Sequence, residues 1–134
     1  MTEEALPPRV PPKVKAAPKP RQVYWCDFPE DAQLPEFWKR RPVVVLSTKA
    51  TLYGVVIVVP LSSKAQPDNP NAYAFKSPLP GEKISWAVCS HITTVAVSRL
   101  VPPDRQIPRV TEEQFFHILT LAHANIPTPR PLNQ

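Results

Sequence analysis

The 134-residue chain carries a formal net charge of +5 and contains 20 prolines but two glycines. This length has room for one domain with one core, and the longest apolar run, residues 55–61, is too short to cross a bilayer. A modestly basic chain is compatible with nucleic acid binding, although many basic proteins bind none. The N-terminus lacks the apolar segment of a signal peptide, and Cys26 and Cys89 show no metal-ligand spacing. We therefore expect a cytoplasmic protein with two buried thiols, no metal and no cofactor.

The prolines divide the chain into three parts. Six of them lie within the first 21 residues, among basic and small residues. Such a segment cannot donate enough backbone hydrogen bonds for regular structure, so residues 1–20 are predicted to be a disordered or polyproline-like tail. Three more prolines lie in residues 127–134, which we predict to be a second tail. The folded domain is therefore predicted to span residues 21–126.

The predicted domain is mainly β. Short runs of β-branched and aromatic residues recur without helical periodicity, and several of them are bounded by prolines or polar residues. The predicted strands are residues 22–28, 43–47, 53–61, 73–76, 84–89 and 93–97. Several short strands at this spacing favour a small barrel or a sandwich over a parallel sheet.

One amphipathic helix is predicted near the C-terminus. Thr111 opens a Thr-Glu-Glu-Gln capping-box pattern, whose two glutamates suit the positive end of a helix dipole. Apolar side chains then follow at helical spacing: Phe115, Ile118, Leu119 and Ala122. Asn125 and Pro127 end the helix, which we expect to lie across the barrel.

Two pairs of polar residues lie at the ends of apolar β runs. Arg40 and Arg41 immediately precede one run, and Ser62 and Ser63 immediately follow another. If the two runs are neighbouring antiparallel strands, the start of the first lies beside the end of the second. A guanidinium and a hydroxyl then meet on one rim of the barrel, and that pairing suits the binding or cleavage of a phosphodiester.

Simpler roles are also compatible with these residues. Arg41 is equally suited to a surface ion pair with Glu36 or Asp27, and serines commonly end a strand. Because no histidine–carboxylate pair lies near either serine in the sequence, a serine-hydrolase triad has no local support.

His91 follows Ser90 between two predicted strands. A histidine at a strand rim can serve as an acid or a base near neutral pH. A histidine held by backbone hydrogen bonds at a bend is the alternative, and the sequence does not separate the two.

Aromatic and charged residues are mixed in the predicted loop before the second strand. Phe37 and Trp38 lie there beside Glu36, Lys39 and Arg40. Exposed aromatic rings next to basic side chains can stack unpaired bases and neutralise phosphates. The same rings also suit an apolar anchor for a protein partner, so both interpretations stay open.

Several segments, in the same order, resemble the MazF/PemK family of type II toxin–antitoxin endoribonucleases. The resemblance runs from about Arg21 to Leu100. Five segments carry it: Gln-Val-Tyr-Trp-Cys-Asp-Phe-Pro (22–29), Glu36 with Arg41-Pro42 and Val-Val-Val-Leu-Ser, Pro60-Leu61-Ser62-Ser63, residues 85–95, and Ser98-Arg99-Leu100. It implies an SH3-like small barrel, a homodimer and metal-independent cleavage of single-stranded RNA. It also implies an antitoxin partner, with operator DNA contacted only through that antitoxin and no membrane association.

The resemblance assigns roles to individual residues. It implies that Arg41 stabilises the phosphorane formed when the RNA 2′-hydroxyl attacks, while Ser62 donates a hydrogen bond to a phosphate oxygen. Glu36 would orient Arg41 or act as a base. The implied RNA path comprises Phe37, Trp38, Lys39, Arg40, Ser63, Lys64 and Ser90.

The chain departs from the family pattern at three places. Ser62 replaces a commoner threonine, and the first loop, Leu-Pro-Glu-Phe-Trp-Lys-Arg, is bulkier than a glycine-bearing one. Ser90-His91 stands where the family has Asp-Gln, so His91 takes a catalytic share or the base-recognition contacts differ. Two other functions stay open: a CcdB-like toxin directed at DNA gyrase, and a catalytically silent barrel that binds RNA or DNA.

Overall fold

A computed structural model of the chain describes residues 5–81 and 84–132. Within these residues the chain forms seven β-strands, a short 3₁₀ turn at Val97–Arg99 and one α-helix. The strands are β1 (Val23–Asp27), β2 (Arg40–Val45), β3 (Val55–Ser62), β4 (Ala72–Lys76), β5 (Ile84–Val88), β6 (Thr93–Ala96) and β7 (Leu100–Val101), and the helix is α1 (Glu112–His123). The mainly β fold with a C-terminal helix is confirmed, and the two-residue β7 is an addition to the predicted strands.

Strand β3 organises the sheet because three other strands pair with it. The strand order is β4-β5-β3-β2-β1-β7, with β6 also paired to β3, and every pairing is antiparallel. The first residues of β3 pair with β6, its middle pairs with β2, and its last two residues pair with β5. The long strand β3 therefore connects all parts of the sheet, and the fold is the predicted small barrel.

Both faces of the sheet are buried where β2 and β3 pair, at residues 43–45 and 58–60, whereas Val55 and Ile57 at the start of β3 are exposed. Successive side chains of a strand point to opposite faces, so Val44 and Val59 enter one core while Val43 and Val58 enter the other. The first core packs against Ile118 and Ala122 of α1. The second core lies on the opposite face of the sheet.

The N-terminal segment covers part of this second core. Val14 is 6% exposed and belongs to the second core, and Lys13 Nζ donates a hydrogen bond to the Ser98 carbonyl at 3.0 Å. The backbone N–H of Arg21 then bonds the Val45 carbonyl at 3.0 Å. Residues 5–20 have no regular secondary structure, yet Val14 of this segment packs on the barrel. The reason is that a single apolar side chain can dock on the barrel without any backbone ladder.

Helix α1 begins at the predicted cap. Thr111 Oγ1 accepts a hydrogen bond from the Gln114 backbone at 3.0 Å, and Gln114 Oε1 accepts one from the Thr111 backbone at 2.9 Å. This reciprocal pair is the capping box. Among the described residues, no helix is long and apolar enough to cross a membrane.

Both thiols are free and buried, as predicted. Burial raises the pKa of Cys26 to about 12, against a smaller opposing effect of the Arg99 charge, and raises the pKa of Cys89 to about 11.

Candidate functional site

A cleft of about 630 Å³ opens between the loop after β1 and the turn before β6. Glu36, Phe37 and His91, three of the residues singled out in the sequence, line it. Its other walls include Pro60 of β3 and the polar side chains of Asp31 and Gln33. The sequence did not indicate these last two, because nothing local distinguishes them from ordinary loop residues.

The two loop aromatics have different surroundings. Phe37 is half-buried, with its ring centroid 5.1 Å from that of His91 in an edge-to-face arrangement and 6.1 Å from that of Phe28. Trp38 is 44% exposed, and Lys39 Nζ lies 4.1 Å from its ring centroid. Phe37 therefore forms part of the cleft wall, while Trp38 and Lys39 present a cationic, aromatic surface to solvent.

His91 is held at both ring nitrogens. Nε2 lies 3.1 Å from the Pro35 carbonyl oxygen, and Nδ1 lies 3.3 Å from Ser90 Oγ. The His91 backbone N–H also bonds the Val88 carbonyl at 3.0 Å. The ring thus connects the turn before β6 to the loop that carries Phe37.

Glu36 makes its hydrogen bonds within its own loop. Its Oε1 accepts from the Gln33 backbone at 2.7 Å, and its backbone N–H bonds the Gln33 carbonyl at 2.8 Å. In the part of the chain that the structure describes, no ion pair joins Glu36 to Arg41. The carboxylate therefore closes a turn on the cleft wall.

Arg40 pairs with Asp27 on the neighbouring strand. Its Nε lies 2.7 Å from Oδ1 and its Nη2 lies 3.2 Å from Oδ2, so the contact is bidentate. The hydrogen bond from Arg40 is the main cause that lowers the pKa of the Asp27 carboxyl, and it raises the pKa of Arg40. The surface ion pair considered for Arg41 is thus made by the adjacent arginine.

Arg41 lies across from Cys26 of β1 and is half-buried. Its Nε donates to the Trp38 carbonyl at 3.2 Å, which fixes the guanidinium against the end of the loop. Within residues 5–81 and 84–132 no carboxylate forms a salt bridge with it. Arg41 therefore keeps an uncompensated positive charge and further N–H donors.

Ser62 ends β3 on the same rim. The side chain is 8% exposed, and its Oγ accepts a hydrogen bond from the Lys64 backbone at 3.1 Å, which leaves the hydroxyl proton available to donate. Ser63 and Lys64 follow as exposed residues of a turn. In the β2–β3 ladder Val43 pairs with Pro60. Among the described residues the β2–β3 ladder ends at this pair, and Leu61 and Ser62 pair with β5. The approach of Arg41 to Ser62 therefore stays a prediction, which rests on continuing the register by two residues on each strand.

The structure brings one group of the candidate residues together. Glu36, Phe37 and His91 share the cleft, with Ser90 bound to His91, and Pro60 of β3, two residues before Ser62, also lines it. Among the residues that the structure describes, no group of three or more histidine, cysteine, aspartate or glutamate side chains is arranged to hold a metal ion.

The structure defines a small protein with one antiparallel sheet of seven strands and a C-terminal helix. The family described as PemK-like, MazF-like toxins of type II toxin–antitoxin systems matches residues 19–123, and the chain belongs to that family. Comparison with curated proteins gives no significant match.

Solved structures of this class share the fold. An endoribonuclease in complex with its cognate antitoxin from a mycobacterial species is 21% identical with a TM-score of 0.62, over 86% of this chain and 100% of that one. The Deinococcus radiodurans MazF (Form-I) is 18% identical with a TM-score of 0.60, over 81% and 94% of the two chains. The Mycobacterium tuberculosis toxin MazF-mt6 is 18% identical with a TM-score of 0.58, over 78% and 95%.

Proposed function

We propose that this toxin is a metal-independent endoribonuclease that cleaves single-stranded RNA. The observation that carries the proposal is the half-buried Arg41, which forms no salt bridge among the described residues and whose Nε donates to the Trp38 carbonyl. From the β2–β3 register, continued beyond its last pair, we infer that the Ser62 hydroxyl lies close to this guanidinium. A fixed cation beside a hydroxyl donor is suited to a phosphate group, because charge-assisted hydrogen bonds strengthen as negative charge develops. Membership of the toxin family and the fold shared with an endoribonuclease support the same function.

The reaction proposed for this rim uses the RNA as its own nucleophile. The ribose 2′-oxygen attacks the adjacent phosphorus and loses its proton, the phosphorus–O5′ bond breaks, and O5′ takes up a proton. The products are a 2′,3′-cyclic phosphate and a 5′-hydroxyl. Arg41 stabilises the phosphorane, and Ser62 donates a hydrogen bond to one of its oxygens. Glu36, on the cleft wall, supplies the carboxylate that accepts the 2′-hydroxyl proton.

The path proposed for the RNA strand runs from the cleft along the exposed loop. Trp38 offers a ring for a base to stack on, and Lys39 and Lys64 neutralise phosphates nearby. Ser63 and Ser90 add exposed hydroxyls at the two ends of this surface. Arg40 lies on the same surface, but because Asp27 already neutralises it, its share of the RNA affinity is smaller.

The proposed biological setting follows from the family. A type II toxin is neutralised by a protein antitoxin, and one of the structures that share this fold is an endoribonuclease bound to its cognate antitoxin. We assign to this chain an acidic antitoxin partner, a homodimeric state and action on cytoplasmic RNA, with operator DNA reached only through the antitoxin.

The test is cleavage of a long single-stranded RNA in EDTA, with the new ends mapped by sequencing. Wild-type protein is expected to give discrete cuts with 5′-hydroxyl ends. Arg41→Ala is expected to lower the rate by about 10²–10³-fold, the usual effect of removing one transition-state donor. The control is Arg105→Ala, which removes an exposed arginine from the loop before α1. Intact RNA with wild-type protein, or equal rates for the two variants, would overturn the proposal.

A further inference from the structure

The contact of His91 with the Pro35 carbonyl defines the role of Nε2. The Pro35 carbonyl oxygen accepts hydrogen bonds and cannot donate one, so the 3.1 Å contact assigns the proton to Nε2. In the neutral ring Nδ1 is then an acceptor, and it receives the Ser90 hydroxyl at 3.3 Å. Both ring nitrogens are therefore in contact with groups of the protein, and Nε2 is used as a donor to the loop.

The carbonyl that His91 holds belongs to the same loop that fixes Arg41. The loop runs from Phe28 to Lys39, and the hydrogen bond from the Phe28 N–H to the Lys39 carbonyl closes its base at 3.1 Å. Near that base the Trp38 carbonyl accepts from Arg41 Nε. At the far part of the loop His91 contacts Pro35 through Nε2. The loop is thus attached to the barrel at Trp38, which contacts Arg41, and at Pro35, which contacts His91.

The Phe37 ring adds an aromatic contact to the attachment of the loop at His91. Its centroid lies 5.1 Å from that of His91, at an interplanar angle of 83°. This edge-to-face contact and the Pro35 hydrogen bond act on adjacent parts of one wall of the cleft. Moving the His91 ring would therefore move the wall that faces Pro60.

We propose that His91 is a positioning residue, which holds the loop 28–39 against the barrel and thereby sets the cleft and the approach of Arg41 to the phosphate. This proposal rests on the proposed function for its effect on cleavage. It is the alternative to the catalytic share that the sequence left open for His91, and it is favoured by the contacts that both ring nitrogens and the ring itself make within the protein.

Two substitutions separate positioning from proton transfer. His91→Gln places an amide N–H near the position of Nε2 and cannot act as an acid or base, whereas His91→Asn is too short to reach the Pro35 carbonyl. Both remove the ring that contacts Phe37, so their difference isolates the hydrogen bond to the loop. We expect His91→Gln to cleave within about threefold of wild type and His91→Asn about tenfold more slowly, since one hydrogen bond contributes about 0.5–1.5 kcal/mol.

The companion measurement is hydrogen–deuterium exchange of peptides covering residues 28–39, which does not depend on activity. These amides are expected to exchange faster in His91→Asn than in wild type and to recover protection in His91→Gln. His123→Asn, at the end of α1, serves as the control and is expected to change neither exchange nor cleavage.

Two results would overturn the proposal. One is a loss of cleavage in His91→Gln of 10²-fold or more with the loop still protected, which is the signature of a general acid or base. The other is unchanged exchange of the loop in His91→Asn. If the wild-type chain leaves RNA intact, the proposed function fails, and the exchange comparison still decides whether His91 holds the loop.

Discussion

The packing of Val14 predicts that the N-terminal segment stabilises the barrel. Val14→Ala removes two buried carbon atoms from a side chain that is 6% exposed. At about 0.8 kcal/mol for each buried methylene, plus a contribution from the cavity left behind, the free energy of unfolding is expected to fall by about 1.5–2.5 kcal/mol. Val10, which is 47% exposed in the same segment, is the matched control. Val10→Ala is expected to change that free energy by less than about 0.5 kcal/mol.

Equilibrium unfolding in urea, followed by tryptophan fluorescence, measures both variants. Val14→Ala is expected to shift the midpoint to lower urea while the slope of the transition stays constant, because the same surface is exposed on unfolding. Equal midpoints for Val14→Ala and Val10→Ala would refute the reasoning, since they would mean that the segment is not docked on the barrel in solution.

Three further predictions concern the helix cap, the thiols and the surface ion pair. Thr111→Ala is expected to lower the free energy of unfolding in urea by about 1 kcal/mol, and Thr111→Ser to restore it, because serine keeps the capping hydroxyl. Cys26 and Cys89, with pKa values raised to about 12 and about 11, are expected to resist a thiol reagent at pH 8 until urea unfolds the chain; fast labelling of the native protein would contradict their burial. The hydrogen bond from Arg40 lowers the pKa of Asp27. The stabilisation of the folded state by this ion pair is therefore complete above the ordinary Asp pKa of 3.8 and is lost as the pH falls through the lowered pKa of the folded state. Asp27→Asn is therefore expected to unfold at slightly lower urea than wild type at pH 7 and to match it in strong acid, and a difference that persists in acid would exclude this cause.

The sequence predicted the strands well because β-branched and aromatic residues are concentrated in them, and the runs at residues 43–45 and 58–61 are buried on both faces. The docking of Val14 was not predictable in the same way. Prolines indicate that a backbone ladder is absent. They carry no information about whether one valine packs against residues that are distant in the sequence. The pairing of that segment with Ser98 and Val45 is a tertiary property.

The candidate site shows the same division. Antiparallel pairing of β2 and β3 follows from their order and composition and is observed, while the approach of Arg41 to Ser62 stays a prediction. Which of two adjacent arginines meets Asp27 depends on the register with β1, which local sequence does not set. The contact of His91 with Pro35 depends on the path of a loop, and a spacing of 56 residues gives no signal for it.

The most direct test of the central claim is a double-mutant cycle at Arg41 and Ser62, read as the RNA cleavage rate in EDTA. If both side chains act on one phosphate, Ser62→Ala alone is expected to slow cleavage by about 10–100-fold, the effect of losing one hydrogen bond to a charged group. In the Arg41→Ala background the same substitution is expected to change the rate by far less, because the phosphate is no longer held in place. Ser62→Thr, which keeps the hydroxyl, is expected to retain cleavage. Fully multiplicative losses, or a Ser62→Ala variant as active as wild type, would contradict a shared site at this rim.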